Sequence, residues 1–259
     1  MSEINALAKP LNEYVDWIVT DEIGIITLNN PPQNYLKNPA FISPQILENE
    51  IFSSAVKGII IVGKGRHFSA GADLIELKKM AKDPDWLSQE MTIGKNLLEF
   101  IEKLTIPVIS AVSGACFGGG LEIALASHLI VCSETSLFAF PEVNHNIMPG
   151  LGGTVRLSRR IGMPESMIML LSGDVIDAST ALNLNIVDRI FPSTEVFDQA
   201  KILMNKMISG KSIKVINHIV KALKNSQELS FCEAMQEETR MFCDLAIDEI
   251  LRNKHVADD

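Results

Sequence analysis

The chain is poor in cysteine: Cys116, Cys132, Cys232 and Cys243 are the four in 259 residues. None stands in C-x-x-C spacing, which excludes a disulfide framework and a zinc site as organising devices. They read as reduced core residues of an intracellular protein. Basic residues are outnumbered, 23 Lys and Arg against 32 Asp and Glu, for a net charge of −9. Nucleic acid rewards basic surfaces, so it is not an expected partner. No apolar run approaches the roughly 20 residues of a membrane helix, so no membrane association is expected. The opening "MSEINALAKPLNEYVDW" places acids early and has no apolar stretch. No secretory signal is read there, and the cytoplasm is the expected location. G-x-S-x-G is missing, and Ser69 and Ser113 have no motif partner, which rejects a serine hydrolase. Neither a repeat of fixed period nor a low-complexity tract is found.

What is present is a run of short apolar segments. Residues 16–30, "DWIVTDEIGIITLNN", predict a hairpin joined by Asp-Glu. The prolines and asparagines of "PPQNYLKNP" make an ordered loop. Strands are predicted at "GIIIVG" (58–63), "PVISAV" (107–112), "LIVCS" (129–133) and "IVDRIF" (186–191). Helices are predicted over about 44–56, 88–103, 163–172 and 178–184. Apolar strands alternating with helices indicate an α/β protein with buried sheets. From about residue 194 the pattern turns helical, over 196–209, 211–225 and 228–252.

One segment is costly for a helix. In "GACFGGGLEIALASH" (114–128), Gly118, Gly119 and Gly120 lead into an apolar run that holds a single carboxylate, Glu122. A helix N-terminus presents unpaired N–H groups, and glycine lets a ligand approach them, which makes an oxyanion site. Tight strand-to-helix packing is the other reading of the same glycines. "HFSAGADL" (67–74) is a second Gly-containing loop between a strand and a helix, able to supply another backbone donor. In "FAFPEVNHNIMPGLGGTVRL" (138–157), Glu142 follows a proline and a Gly-rich turn opens another helix. Two carboxylates beside two amide donors form acid/base machinery for a polarised carbonyl.

"FSAGADL", "GACFGGGLEIALA" and "FPEVNHNIMPGLGGTVRLSRRIG" together, in this order and spacing, resemble the enoyl-CoA hydratase/isomerase (crotonase) superfamily. The resemblance runs from about residue 20 to 195 and is weaker beyond. It implies an α/β, crotonase-like spiral of repeated ββα units over 1–195, carrying the active site. Residues 196–259 then form a C-terminal helical region that mediates trimerisation, giving a homotrimer or a homohexamer. The implied activity is that of an enoyl-CoA hydratase, reversibly adding water to a 2-enoyl thioester through an enolate. The amides of Ala72 and Gly119 would hold the enolate oxygen. Glu142 would deliver a proton to C2 while Glu122 orients and activates the water. Ala70, Gly71, Asp73, Leu74, Gly118 and Gly150 would contact the substrate, and Pro32 and Gln33 would lie near the coenzyme. No metal or redox cofactor is implied, since coenzyme A arrives as part of the substrate.

Several positions depart from the family pattern. His128 replaces the usual aspartate after "LEIALAS", and a structural role is expected of it. Asn144, His145 and Asn146 stand where an aliphatic-glycine run is usual, either as a surface turn or as a sign of a polar or branched acyl group. Ile75 occupies the place of a common lysine, with Lys78 and Lys79 further on. The ending "EETRMFCDLAIDEILRNKH" lacks the usual basic motif, which admits an acyl-carrier thioester in place of CoA. Its Glu233, Glu237, Glu238, Asp244, Asp248 and Glu249 are read as a solvated helix face. The alternative activities are those of an isomerase, decarboxylase or hydrolase on a branched, cyclic or carrier-protein-bound acyl thioester. A non-catalytic, RNA-binding member is disfavoured by the acidic balance and by the two glutamates.

Overall fold

The computed structural model describes residues 8–257. Strands β1 (Lys9–Asn12), β2 (Val15–Thr20) and β3 (Ile23–Leu28) form an antiparallel meander. The predicted hairpin is the β2–β3 pair. Its Asp21-Glu22 turn has φ of 53° and 61°, the double left-handed geometry whose twist matches a two-residue hairpin. The remaining strands are β4 (Gly58–Gly63), β5 (Val108–Val112), β6 (Ala115–Phe117), β7 (Leu129–Ser133), β8 (Leu137–Ala139), β9 (Ile176–Asp177) and β10 (Arg189–Phe191). The large sheet has the order β1-β2-β3-β4-β5-β7-β10 and is parallel from β3 onward; β6, β8 and β9 make a second, small sheet.

The central parallel strands are predominantly apolar because both their faces are covered. In β4, Ile59 and Ile61 enter one core cluster while Ile60 and Val62 enter another. β7 divides in the same way, Ile130 and Cys132 inward, Leu129 and Val131 outward. Cys116 and Cys132 are buried and unpaired, as expected, but Cys232 and Cys243 are exposed on the last helix and are not core residues.

The helices are α1 (Pro44–Ser53), α2 (Leu74–Met80), α3 (Pro84–Lys103), α4 (Gly119–Ala126), α5 (Gly153–Ile161), α6 (Met163–Ser172), α7 (Ala178–Asn183), α8 (Val196–Ile208), α9 (Ile213–Glu228) and α10 (Phe231–Ala257). Each turn of the chain lays a strand in the large sheet, then a pairing in the small layer, then helix. The first turn is β4, the Ser69–Cys116 bridge and α2–α3; the second is β5, β6 and α4; the third is β7, β8 and α5–α6. This is the ββα spiral. Its turns differ in length, which is why no fixed period shows in the sequence.

Among the boundaries that differ from expectation, two have a visible cause. Helix α3 begins at Pro84, because Asp83 caps it by accepting from the N–H groups of Asp85 and Trp86. The strand predicted at 186–191 is only Arg189–Phe191, since the N–H groups of Ile186 and Val187 turn back to the carbonyl of Ala181 at the end of α7.

Helix α8 lays Val196, Phe197, Ala200, Met204 and Ile208 on the outward face of the large sheet. Helices α9 and α10 pack on each other, with an ion pair between Lys214 and Asp248. The acidic face of α10 is partly paired within itself, Arg240 joining Glu237 and Asp244; the Glu249 side chain lies outside the described residues. Among the described residues, no helix is long and apolar enough to cross a membrane, and no cluster of three metal-binding side chains occurs.

Candidate active site

The Gly-rich turn after β6 brings two backbone donors together. Gly118 caps α4 at φ 50°, ψ −122°, a conformation open to glycine and strained for other residues. Gly119 is the first residue of the helix, so its N–H has no acceptor within the helix. Across from it, Leu36 donates to the carbonyl of Gly71 and accepts from the N–H of Asp73, both at 2.9 Å. That register turns the N–H of Ala72, the residue between, away from Leu36. A Cβ on Gly71 would stand 3.4 Å from the Gly119 nitrogen, and one on Gly119 would stand 3.9 Å from the Ala72 nitrogen. The two amides therefore border one small space. The loop carrying Ala72 is held by Ala70 N–H on the Gln33 carbonyl (2.9 Å) and by Ser69 Oγ on the Asn34 carbonyl (2.7 Å).

Glu122 sits in the first turn of α4 at 2% exposure. Its Oε1 accepts from the N–H groups of Leu151 and Gly153, each at 2.7 Å. These amides begin α5, where a helix otherwise leaves donors unpaired. One carboxylate thus satisfies a second helix, which offsets its burial. Its Oε2 takes part in neither of these bonds. Burial raises the Glu122 pKa, opposed by the two amides and by the charge of Arg156.

Glu142 lies on a short 3-10 turn, Pro141–His145, that ends at Asn146 in the left-handed conformation. Its Oε2 is buried without a hydrogen-bond partner. Burial, with the negative charge of Glu122 adding to it, pushes its pKa up to about 7. One carboxyl is held by two amides, while the other leaves an oxygen without a partner and is easily protonated.

A cleft of about 390 Å³ opens over Ala72 and Glu142; Gly119 and Glu122 are not among its lining residues. Ala70, Gly71, Ala72, Asp73 and Leu74 line one side, with Gly118, Glu142 and His145 opposite. Asp73 also ties its own surroundings together. Its Oδ1 caps α2 through the N–H groups of Ile75 and Glu76, while Oδ2 accepts from Lys37 at 2.6 Å. Gly150 does not line the cleft; it packs toward Met91, and a Cβ there would stand 2.3 Å from the Met91 methyl. Pro32 and Gln33 are exposed on the loop before Asn34. His128 has a structural position: its Nδ1 accepts from the Val108 N–H at 3.0 Å and its Nε2 faces the Glu102 carbonyl at 3.3 Å. Burial lowers its pKa to about 4. Asn144 packs near Gly173, away from the cleft lining.

Three residues carry no signal in the sequence. Tyr35 lines the cleft from a Pro/Asn-rich loop where one aromatic makes no pattern. Lys37 reaches Asp73 from the same loop, thirty-six positions away in the chain. Arg156, on α5, contacts the loop that holds Glu122; one of three arginines in an amphipathic helix gives no hint of that.

The family pattern for enoyl-CoA hydratase/isomerase matches residues 19–253. The chain belongs to that family. The match extends past residue 195, through α8 and α9 into α10, so the resemblance covers more of the chain than its motifs indicated. A probable enoyl-CoA hydratase of Bacillus subtilis (strain 168) is 32% identical over 250 residues, covering 92% of this chain and 90% of that protein. The fatty acid oxidation complex subunit alpha of Idiomarina loihiensis is 34% identical over 228 residues, 84% of this chain but 32% of that protein. This chain therefore spans about a third of that larger relative. Among solved structures, an enoyl-CoA hydratase subunit I from Geobacillus kaustophilus HTA426 superimposes with a TM-score of 0.82 at 29% identity, covering 96% of this chain and 95% of that one. An enoyl-CoA hydratase from Bacillus anthracis gives 0.80 at 26% identity, covering 89% and 90%. The crotonase fold is thus common to this chain and to its enoyl-CoA hydratase/isomerase relatives.

Proposed function

We propose that this family member is an enoyl-CoA hydratase, adding water reversibly across the C2–C3 bond of a 2-enoyl thioester. The observation that carries the reading is the unequal pair of carboxyls beside the two amides. Glu122 is gripped by two N–H groups that favour its ionised form, whereas Glu142 is bare and titrates near 7. In the mechanism, the thioester oxygen is held by the amides of Ala72 and Gly119 as it gains charge. Glu122 takes a proton from the water attacking C3, and Glu142 gives one to C2. A donor pair of this kind contributes about 3–4 kcal/mol of barrier per amide, and each proton transfer about 10²–10⁴-fold.

Coenzyme A enters as part of the substrate, and no metal takes part in this scheme. Assembly into trimers or dimers of trimers belongs to the same reading. It is supported by Phe231, Met235 and Phe242, which stay exposed along one face of α10. His145 lines the cleft, which leaves room for a polar acyl group beside a plain chain.

The test is hydration of crotonyl-CoA, followed by loss of the conjugated enoyl-thioester absorbance, with Glu142→Gln and Glu122→Gln beside the wild type. Loss of turnover by orders of magnitude in folded variants supports the scheme. Full activity in both variants sinks it.

A further inference from the structure

The grip on Glu122 depends on a side chain that touches neither carboxyl. Arg156 lies one turn into α5, and its guanidinium folds back over the start of that helix. Its Nη1 donates to the Leu151 carbonyl at 2.7 Å. Its Nε and Nη2 both donate to Oε2 of Glu102 on α3, at 3.0 and 2.8 Å. The Leu151 carbonyl belongs to the peptide that lies between the two whose N–H groups hold Glu122. Gly152 leaves room for this fold-back, since a Cβ there would stand 2.5 Å from Nη1. The Arg156 side chain is 11% exposed and that of Glu102 43%, so the guanidinium is enclosed and its anchor reaches solvent.

We propose that Arg156, anchored by Glu102, is a positioning residue for the reaction: it fixes the Leu151–Gly152 peptide so that the flanking amides hold Oε1 of Glu122 and leave its other oxygen to the substrate. The role of Glu122 in this statement rests on the hydratase reading above; the clamp itself rests on geometry alone. Three adjacent peptides are locked from two sides, which preorganises the carboxylate before substrate arrives. The same guanidinium is a fixed positive charge near Glu122.

The charged groups around the clamp come from four elements. Glu142 faces Glu122 from the 3-10 turn, and Arg156 faces it from α5. Glu99 and Glu102 of α3 face Arg156, and Lys103 and Lys224 face Glu102 from α3 and α9. A clamp with only a structural role would change thermal stability and leave the ionisation of Glu122 in place. A positioning role moves both the turnover and that ionisation.

The experiment uses full-length protein: wild type, Arg156→Met, Arg156→Lys and Glu102→Gln, each checked for folding by circular dichroism. Two readouts are taken. The first is crotonyl-CoA hydration between pH 5 and 9, resolved into kcat and KM. The second is the titration of the Glu122 carboxyl by carbon-13 NMR of glutamate-labelled protein, assigned with Glu122→Gln. In Arg156→Met, kcat falls about 10- to 100-fold with KM little changed, and the Glu122 carboxyl titrates at higher pH than in the wild type. Arg156→Lys keeps a cation, so the titration stays near that of the wild type. Its kcat stays depressed, because one ammonium does not hold the Leu151 carbonyl and Glu102 in the geometry of the fork.

A folded Arg156→Met with wild-type kcat, or with an unmoved Glu122 titration, overturns the inference. Where Arg156→Met does not fold, Glu102→Gln decides: lowered kcat upholds it and wild-type kcat overturns it. If the wild type does not hydrate crotonyl-CoA, the hydratase reading fails on its own, and the carboxyl titration, which needs no substrate, still decides the clamp.

Discussion

A β-carbon on Gly118 would stand 2.7 Å from Oε1 of Glu142, so the first residue of the Gly-rich turn is cut to fit the acid that lies over it. Gly118→Ala meets both that contact and a φ of 50°. Backbone strain of this kind costs about 1–3 kcal/mol, and displacement of the carboxyl by even 1 Å costs on the order of 10²-fold in rate. The expected variant is folded, melts several degrees lower and has lost most of its turnover. Retention of wild-type kcat would mean that Glu142 moves aside without consequence.

Gly119→Pro isolates the oxyanion donor. Proline is favoured at the first position of a helix, so the change removes the N–H of Gly119 with little effect on α4. Hydration kcat is expected to fall about 10²–10³-fold while the circular dichroism spectrum is preserved. An active, folded Gly119→Pro would place the thioester oxygen elsewhere.

The pH profile follows from the pair. In the proposed scheme the working form carries one proton, on Glu142, and Glu122 acts as the base. Glu142 titrates near 7, so kcat/KM declines as pH rises through about 7. Hydration moves no net proton, so dehydration must show the same limb. The apparent value belongs to the pair of carboxyls. A profile flat from pH 6 to 9 would remove Glu142 from the role of proton donor.

Stability carries the opposite mark of the same residue. The folded-state pKa of Glu142 lies near 7, above the ordinary 4.5, so the folded state binds its proton more tightly than the unfolded chain. That contribution is complete below about 4.5 and is lost as pH rises through about 7. Glu142→Gln should therefore melt above the wild type at pH 8, by on the order of 1–3 kcal/mol, with the difference closing near pH 4.5. Equal melting at both pH values would show that Oε2 finds a partner in solution.

The central strands β4, β5 and β7 are legible because they are buried on two sides and read as apolar runs, β4 and β7 falling where expected to the residue, whereas the exposed, polar β1 gives no such signal. β6, β8 and β9 are not legible either, since segments of three or two residues are too short for any period to show. The site divides likewise. Gly118, Gly119 and Glu122 are legible because glycines and an acid violate helix preference together. The partners of Glu122 are not, because Leu151 and Gly153 act through their N–H groups, which every residue but proline has. His128 shows the reverse: a conspicuous side chain whose hydrogen bonds join α3 and β5 to the turn before β7.

Each turn of the spiral contributes one part of the site: Ala72 after β4, Gly119 and Glu122 after β6, Glu142 after β8. No single turn of the spiral holds both amides and both acids, so the site has no local existence. A fragment ending before β7 has the donors and Glu122 but neither Glu142 nor the amides that hold Glu122. Turnover is therefore a readout of the stacked spiral as a whole, and nicking the chain between turns should extinguish it as soon as the pieces separate.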